Sequence, residues 1–477
     1  MDRRLFISAL QKIVGKDAVL LSPDELAVYS YDAGHDRHMP DVVVLPGTTD
    51  QVVEVVKLAA QAGVPIVARG AGTCLSGGPV PIAGGMVLVT SRLRRILEIN
   101  PEDRYAVVEA GVINVDLSAA AAPYGLYYAP DPSSQTVSTI GGNVAENAGG
   151  PHCLLYGLTS NHVLAMDMVL ADGQVVHLGS VAPDQPGYDL RGVVIGSEGM
   201  FGIVTTITVR LMPKPEDART IVAIYNTLED AGETVTDLLR QAIIPAAAEI
   251  IDGVIARAVE AANHLGYPDD AGSVLLLEVD GLPDGLDDVA KTMAEVCRRH
   301  GAREVRFART EEERVALWKG RKGAAGAIGR IAPNKIMQDA TVPRSKLPAA
   351  LHYIVEVSKK YNMTIGTMLH AGDGNLHPNM LYDARVPGMH EKALQASNEI
   401  TKHCVEMGGT ITGEHGVGLE KQELMAWMFS ETDMEQMRKL KTAFDPRNLM
   451  NPGKMFPVNN QRSVATSQTT SLAWPAV

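Results

Sequence analysis

Two histidines bracket a glycine-rich turn, His370-Ala-Gly-Asp-Gly-Asn-Leu-His377, and further along the chain reads Gly413-Glu414-His415-Gly416. Asp373-Gly374 is a preferred dipeptide for a two-residue type I′ hairpin turn, and such a turn sets His370 directly across from His377. Both imidazoles then share one face, with Cβ atoms roughly 5 Å apart. Two neutral imidazoles and one carboxylate, Glu414, suit a divalent transition metal such as Zn, Mn or Fe(II), with positions left open for a substrate. His415 is the residue type that titrates nearest neutral pH, which suits a general base. Glycines flanking Glu414 and His415 let backbone approach a ligand closely. Either segment alone reads as a polar turn with packed side chains. The two together point to a metal site beside a catalytic base.

Holding such a site takes more than one ordinary core, and 477 residues predict two or three domains. The composition, 45% hydrophobic and 21% charged, is that of a globular enzyme. A net charge of −13 argues against nucleic acid as a partner, since binding it depends on Lys and Arg neutralising phosphates. Cys74, Cys153, Cys297 and Cys404 are widely spaced and show no C-x-x-C pairing, so neither a disulfide framework nor an iron-sulfur cluster in this chain is indicated. A reducing, cytoplasmic setting fits that pattern. The first ten residues carry too short an apolar run for a signal peptide, and no uncharged apolar stretch is long enough to predict a membrane span.

The spacing of apolar residues predicts a strand over 41–45, a helix over 51–62 with Val52, Val55, Val56 and Ala59 on one face, and a strand over 64–68. These form a βαβ unit. Further strands are expected at 86–90, 106–110 and 203–211, with a hairpin over 164–178 around Asp172-Gly173. Pro213-Lys-Pro215 punctuates the chain as a linker would. Beyond it, helices are predicted over 228–239, 249–264 and 287–299 and a strand over 273–280, an alternation that suits a second sheet covered by helices. A long Met-rich helix over 420–444 is expected, followed by a tail over 458–477 rich in Ser, Thr and Gln and expected to be disordered.

Three glycine loops punctuate the first half. Arg69, Gly70, Ala71, Gly72 and Thr73 run on through Cys74 to Gly77 and Gly78; Ser138, Thr139, Gly141, Gly142 and Asn143 lead to Asn147, Gly149 and Gly150; and Gly196-Ser-Glu198-Gly199 precedes Ile203. Leu75 breaks a G-x-G-x-x-G fingerprint and no GK[ST] follows, so neither a standard nicotinamide site nor a P-loop is indicated. Successive backbone N–H groups in such turns form anion-binding nests that can hold a pyrophosphate.

With Pro130, Asp131 and Pro132, these loops resemble the FAD-binding domain of the vanillyl-alcohol oxidase and p-cresol methylhydroxylase superfamily. The second half is similar to its FAD-linked 2-hydroxy-acid branch, which includes glycolate oxidase FAD subunits, D-lactate dehydrogenases and D-2-hydroxyglutarate dehydrogenases. The supporting motifs are the two-histidine turn, Gly413-Glu-His-Gly416, Trp318-Lys-Gly-Arg-Lys322, and Phe444-Asp-Pro together with Met450-Asn451-Pro-Gly-Lys454. The resemblance implies an α+β, two-domain fold of p-cresol methylhydroxylase (PCMH) type. Residues 1–212 would bind FAD, 213–425 would form an inserted α/β substrate or cap domain carrying the metal site, and a C-terminal helical segment, 426–457, would return to the FAD domain. Some superfamily members attach flavin through a histidine just after the first glycine pair. Thr73-Cys74 stands there, Cys74 reads as a small buried hydrophobe, and non-covalent FAD is expected.

The resemblance implies oxidation of a small 2-hydroxy acid, D-lactate or glycolate foremost, to the 2-oxo acid. Flavin N5 would take the hydride. His370, His377 and Glu414 would hold the metal, His415 would act as base, and Arg321 would clamp the substrate carboxylate with Lys335 as a second anchor. Electrons would then pass to a partner, whether an electron-transfer flavoprotein, an iron-sulfur subunit or a membrane quinone, or directly to oxygen. The chain would be cytoplasmic, or peripheral to the membrane through that partner, as a homo-oligomer or a subunit of a complex. Two other classes are a non-catalytic FAD-binding subunit of an oxidase complex, which would not need both histidines, Glu414 and His415, and an ether-lipid-type transferase, which relies on adjacent histidines that this chain lacks.

Overall fold

The computed structural model describes residues 1–182 and 186–457, so the expected disordered tail over 458–477 lies outside the described residues. The chain forms two compact units. The first comprises Met1–Ala148, Leu158–Lys214 and Glu414–Val477, and the second Gly149–Gly157 and Pro215–Gly413. The boundary expected at 212 falls at Lys214, and two larger departures from the expected 1–212, 213–425 and 426–457 each have a hydrogen-bonding reason. Gly149–Gly157 belongs to the second unit, where the Tyr156 hydroxyl donates to Asp280 at 2.8 Å and His152 lies 3.6 Å from Glu278. The return to the first unit starts at Glu414, because Val417 and Gly418 already donate backbone N–H groups to the buried Glu198 carboxylate.

In the first unit a four-stranded sheet runs in the order Val19–Leu20, Val42–Val44, Met86–Val89, Ile66–Arg69. The helix Thr49–Ala62 starts at a Thr48 side-chain cap and ends at Gly63 with φ +70°, and its Val52, Val55, Val56 and Ala59 are fully buried. The expected βαβ unit is present, with Met86–Val89 lying parallel between its two strands. A five-stranded antiparallel sheet follows in the order Ile96–Asn100, Tyr105–Glu109, Ile203–Arg210, Val163–Val169, Val175–Gly179. Its last two strands are the hairpin expected around Asp172-Gly173, where Gly173 has φ +84°.

The second unit is built on an eight-stranded antiparallel sheet. Its order is Glu304–Phe307, Asp217–Tyr225, Ser273–Gly281, Ala247–Asp252, Ile365–His370, Asn375–Tyr382, Asn334–Met337, with Ala340–Thr341 also paired to Asn375–Tyr382. Alternation of side chains gives the sheet two buried faces. Ala248, Ile250, Leu275 and Leu277 pack beneath the helices Leu228–Arg240, Leu286–Arg299, Leu347–Lys360 and Met389–Glu406. On the opposite face, Ala247, Ile251, Val274 and Leu276 pack with Gly253–Asn263 and Glu311–Lys322.

Two expected helices are corrected. The span 249–264 divides into the strand Ala247–Asp252 and the helix Gly253–Asn263, because Asp252 caps the helix through Ile255 N–H at 2.8 Å and Ala247–Asp252 lies buried as a strand between two others. The span 420–444 divides into a short 3₁₀ turn, Gln422–Trp427, and the helix Glu431–Phe444, which begins afresh at a Ser430 and Asp433 capping box. Among the described residues no helix is long and apolar enough to cross a membrane.

One stripe of the helix Glu311–Lys322 presents Arg314, Trp318 and Arg321 at i, i+4 and i+7 to the sheet. Arg314 and Trp318 both donate to Glu278, at 3.2 and 2.5 Å, and Thr220 donates at 2.5 Å. Burial alone would raise the pKa of Glu278, but hydrogen bonds to His152, Thr220 and Trp318 outweigh it and bring the carboxyl down to about 2 from an ordinary 4.5. A depressed folded-state pKa means that the unfolded chain binds more protons between those values, so stability falls as pH drops from 4.5 towards 2. Urea unfolding across that range should show this slope for the wild type and a shallower one for Glu278→Gln. Equal slopes would contradict the assignment.

Candidate functional site

The histidine turn is a hairpin, but its register differs from the type I′ expectation. His370 pairs with Asn375, Leu369 with Leu376 and Met368 with His377, leaving a four-residue loop, 371–374. The longer loop is stabilised from outside the hairpin: Val342 donates to the Gly374 carbonyl at 3.0 Å, and Ala340–Thr341 pairs with the start of the return strand. Gly374 adopts φ +81°, a conformation that suits glycine. The slip from the expected pairing is two residues, an even number, so the faces are unchanged. His370 and His377 therefore share a face diagonally, with ring centroids 5.1 Å apart. Both are buried.

Each ring is oriented by an acceptor behind it. His370 Nδ1 lies 2.7 Å from Glu249 Oε1, and His377 Nδ1 lies 3.2 Å from the Gln338 carbonyl oxygen. Carbonyl and carboxylate oxygens accept only, so both Nδ1 atoms act as donors to them. Gln338 is itself held by Ser397 and Thr401. Glu249 sits directly across from His370 on the neighbouring strand and is fully enclosed. Its second oxygen lies 2.5 Å from Arg321 Nη2, a distance for an ion pair whose angles do not make it a hydrogen bond. Reading 249–264 as helix hid Glu249 from sequence reasoning; the Asp252-Gly253 cap was the signal that could have exposed it.

Arg321 keeps donors in reserve. Its Nη1 faces the Met368 sulfur at 3.7 Å, a weak acceptor, and its Nε has no hydrogen-bond partner among the described residues. Lys335 pairs with Leu381 and so projects to the face that carries His377. Its Nζ donates to the Ala325 carbonyl at 3.0 Å, and burial lowers its pKa. The second unit thus gathers His370, His377, Arg321 and Lys335 on one face of one sheet.

The Gly413-Glu414-His415-Gly416 run begins where the second unit ends. Gly413 N–H donates to the Asp339 carbonyl and carboxylate at 2.9 and 3.0 Å, and Thr412 donates to the same carboxylate at 2.5 Å. A Cβ on Gly413 would stand 2.5 Å from Asn375 Cγ, so a side chain here would have to displace the Asn375 amide. After the run, Ser76 donates to the His415 carbonyl at 3.0 Å, and Gly416 adopts φ +84° close to Glu146.

In the first unit the glycine loops converge. A Cβ on Gly70 would meet Thr139 Oγ1 at 2.4 Å, and Thr139 caps the helix Ile140–Glu146 through Gly142 N–H. Asn451 Nδ2 donates to the carbonyls of Gly78 and Glu198, tying the first loop to the third. Arg69 donates to the Tyr31 carbonyl, Pro130 accepts from Asn114, and Asn147 and Glu198 adopt positive φ. Glu198, expected at the cofactor, commits its carboxylate to Val417 and Gly418. Burial, and next the neighbouring Glu146, push the Cys74 thiol well up, which keeps it protonated. Ser138 Oγ and Asn143 Nδ2 are buried with no hydrogen-bond partner among the described residues. Buried polar atoms are rarely left so, and a polar cofactor lying against these loops would satisfy them.

Such loops over a mixed sheet define a flavin-binding oxidoreductase, and comparison with known proteins agrees. Residues 40–179 match the family described as FAD binding domain, and residues 214–455 match FAD linked oxidases, C-terminal domain. The chain is 43% identical to glycolate oxidase subunit GlcD of Escherichia coli K12 over 96% of its own length and 92% of that protein's. It is 42% identical to GlcD of Bacillus subtilis, covering 92% and 94%, and 34% identical to D-lactate dehydrogenase of Archaeoglobus fulgidus, covering 87% and 91%. Its fold is shared with p-cresol methylhydroxylase at TM-score 0.80 and 19% identity, covering 96% of this chain and 97% of that one. Alkyldihydroxyacetonephosphate synthase shares it at TM-score 0.74 and 16% identity, covering 95% and 86%. The chain belongs to the FAD-linked oxidase family, and FAD is its cofactor.

Gly70→Ala would push a methyl into the Thr139 cap, at a cost of about 1–3 kcal/mol. The purified variant should carry less FAD per chain than the wild type and melt earlier. Wild-type flavin content and melting temperature would show that this close approach does not shape the loop.

Proposed function

We propose that this protein oxidises a small 2-hydroxy acid, glycolate or D-lactate, to the 2-oxo acid, with His370, His377 and Glu414 holding a divalent metal. The observation that carries the reading is the buried pair of imidazoles on one face of the sheet, ring centroids 5.1 Å apart, each with its Nδ1 engaged by an acceptor behind the ring. Supporting it are the relatives named glycolate oxidase subunit and D-lactate dehydrogenase. Glu414 follows directly on Gly413, whose N–H is fixed on Asp339, and the Asp339 carboxylate in turn lies 3.9 Å from His377 Nδ1. One peptide step from that anchor, a glutamate side chain has the reach to complete the set.

When bound, FAD supplies the two-electron acceptor and the metal a Lewis acid that acidifies the substrate hydroxyl. Arg321 and Lys335 hold the substrate carboxylate through the donors that Glu249 and Ala325 leave to spare. His415 takes the hydroxyl proton on a ring nitrogen while the C2–H bond breaks and hydride leaves, so the C2–O bond becomes a carbonyl. Electrons then leave for a partner, an electron-transfer flavoprotein, an iron-sulfur subunit or a quinone. The protein works in the cytoplasm or at the membrane surface through that partner, as a homo-oligomer or a complex subunit.

Anaerobic addition of glycolate, D-lactate, L-lactate and D-2-hydroxyglutarate to the oxidised protein tests the substrate class. Glycolate or D-lactate should bleach the visible flavin band; an unchanged spectrum with all four would refute the proposal.

Base and ligand separate at the adjacent pair. His415→Ala should keep metal and FAD yet reduce flavin ~10²- to 10⁴-fold more slowly, the usual loss for a general base. Glu414→Ala, His370→Ala and His377→Ala should lose metal while keeping FAD. Stopped-flow flavin reduction with metal analysis of each variant distinguishes them. A wild-type rate in His415→Ala would place the base elsewhere.

A further inference from the structure

We infer that Glu249 is a positioning residue for the metal site, setting the orientation and tautomer of His370. The inference rests on the proposed metal role of His370 and His377 and goes beyond it to a residue that does not ligate. Glu249 is in register with His370 on adjacent strands, so the two side chains leave the sheet side by side on the same face. Its Oε1 lies 2.7 Å from His370 Nδ1, and its Oε2 faces Arg321 Nη2 at 2.5 Å. All three side chains are nearly or fully enclosed, at 0% exposure for Glu249, 5% for His370 and 6% for Arg321.

A carboxylate this deep is costly unless both oxygens are engaged, and here each has its own partner. Arg321 balances the charge, and a carboxylate that accepts from Nδ1–H both fixes the ring and raises the basicity of the opposite nitrogen. His377 has the looser arrangement, because its Nδ1 faces the neutral Gln338 carbonyl at 3.2 Å and a carboxylate, that of Asp339, only at 3.9 Å. The two histidines are therefore unequal: the Glu249 carboxylate stands within hydrogen-bond distance of His370 Nδ1, at 2.7 Å, whereas the Asp339 carboxylate stands beyond it from His377 Nδ1, at 3.9 Å. Arg321 also links this relay to the face where the substrate carboxylate is proposed to bind. Substitution at Glu249 should thus act on metal affinity more than on fold.

The test uses FAD-loaded protein stripped of metal and titrated with Zn(II) or Mn(II) against a chromophoric chelator. Glu249→Gln should bind the ion 10- to 100-fold more weakly than wild type at unchanged FAD content. Glu249→Asp, which keeps the carboxylate on a shorter arm, should recover part of the loss. A purely structural role would lower the melting temperature and leave metal affinity alone. If wild type binds metal, His370→Ala loses it and Glu249→Gln binds like wild type, the inference falls while the metal proposal stands. If wild type takes up no ion, both fall. Should Glu249→Gln fail to fold, ¹⁵N-histidine NMR of the wild type decides, with the His370 signal assigned by its loss in His370→Ala. A proton on Nδ1 supports the inference, and a proton on Nε2 overturns it.

Discussion

A β-strand turns successive side chains to opposite faces, and that two-residue repeat is the constraint on which the second unit of this protein depends. It places Glu249, His370, His377 and Lys335, from four neighbouring strands, on one side of one sheet. The helix Glu311–Lys322 lies on the same side and supplies Arg321 from a stripe that also supplies Arg314 and Trp318 to Glu278. Buried carboxylates need paired donors, so the two glutamates define which face of the helix can turn inward. Chemistry and packing thus share one face of the sheet.

The same repeat explains which parts of the site could be read in the sequence. The hairpin was read from Asp373-Gly374, and its register is off by two residues, because contacts with Val342 and Ala340–Thr341 lie far away in sequence and favour a wider loop. An even slip keeps the faces, so the pairing of His370 with His377 survives the error. Glu249 was hidden for a different reason. The run through Ile250, Ile251, Val254 and Ile255 carries helix-like spacing, and only the Asp252 cap reveals that a strand precedes the helix. Its partner His370 lies 121 residues away, a distance that no local pattern spans. Long amphipathic segments such as Thr49–Ala62 and Leu286–Arg299, by contrast, were expected within a few residues of their bounds, because one strong apolar stripe determines them.

The first unit shows how glycine loops that are unremarkable singly become a cofactor cradle. Close approach of Gly70 to Thr139 and the reach of Asn451 to Gly78 and Glu198 bring three loops together. Two of the residues expected at the cofactor also brace the loops through their side chains. Glu198 holds the chain that follows Gly416, and Asn451 braces two loops. The orphaned Ser138 Oγ and Asn143 Nδ2 mark where a polar ligand is expected. The fold is common to proteins as different by name as p-cresol methylhydroxylase and alkyldihydroxyacetonephosphate synthase, so function rests on the site and on relatives above 30% identity rather than on architecture.

The proposed centre of the site is two imidazoles meeting one metal ion. X-ray absorption at the metal edge of the zinc- or manganese-loaded holoenzyme tests this most directly. It should show a first shell of nitrogen and oxygen only, with the multiple-scattering signature of two imidazole rings. A sulfur shell, or a spectrum without imidazole scattering, would contradict it.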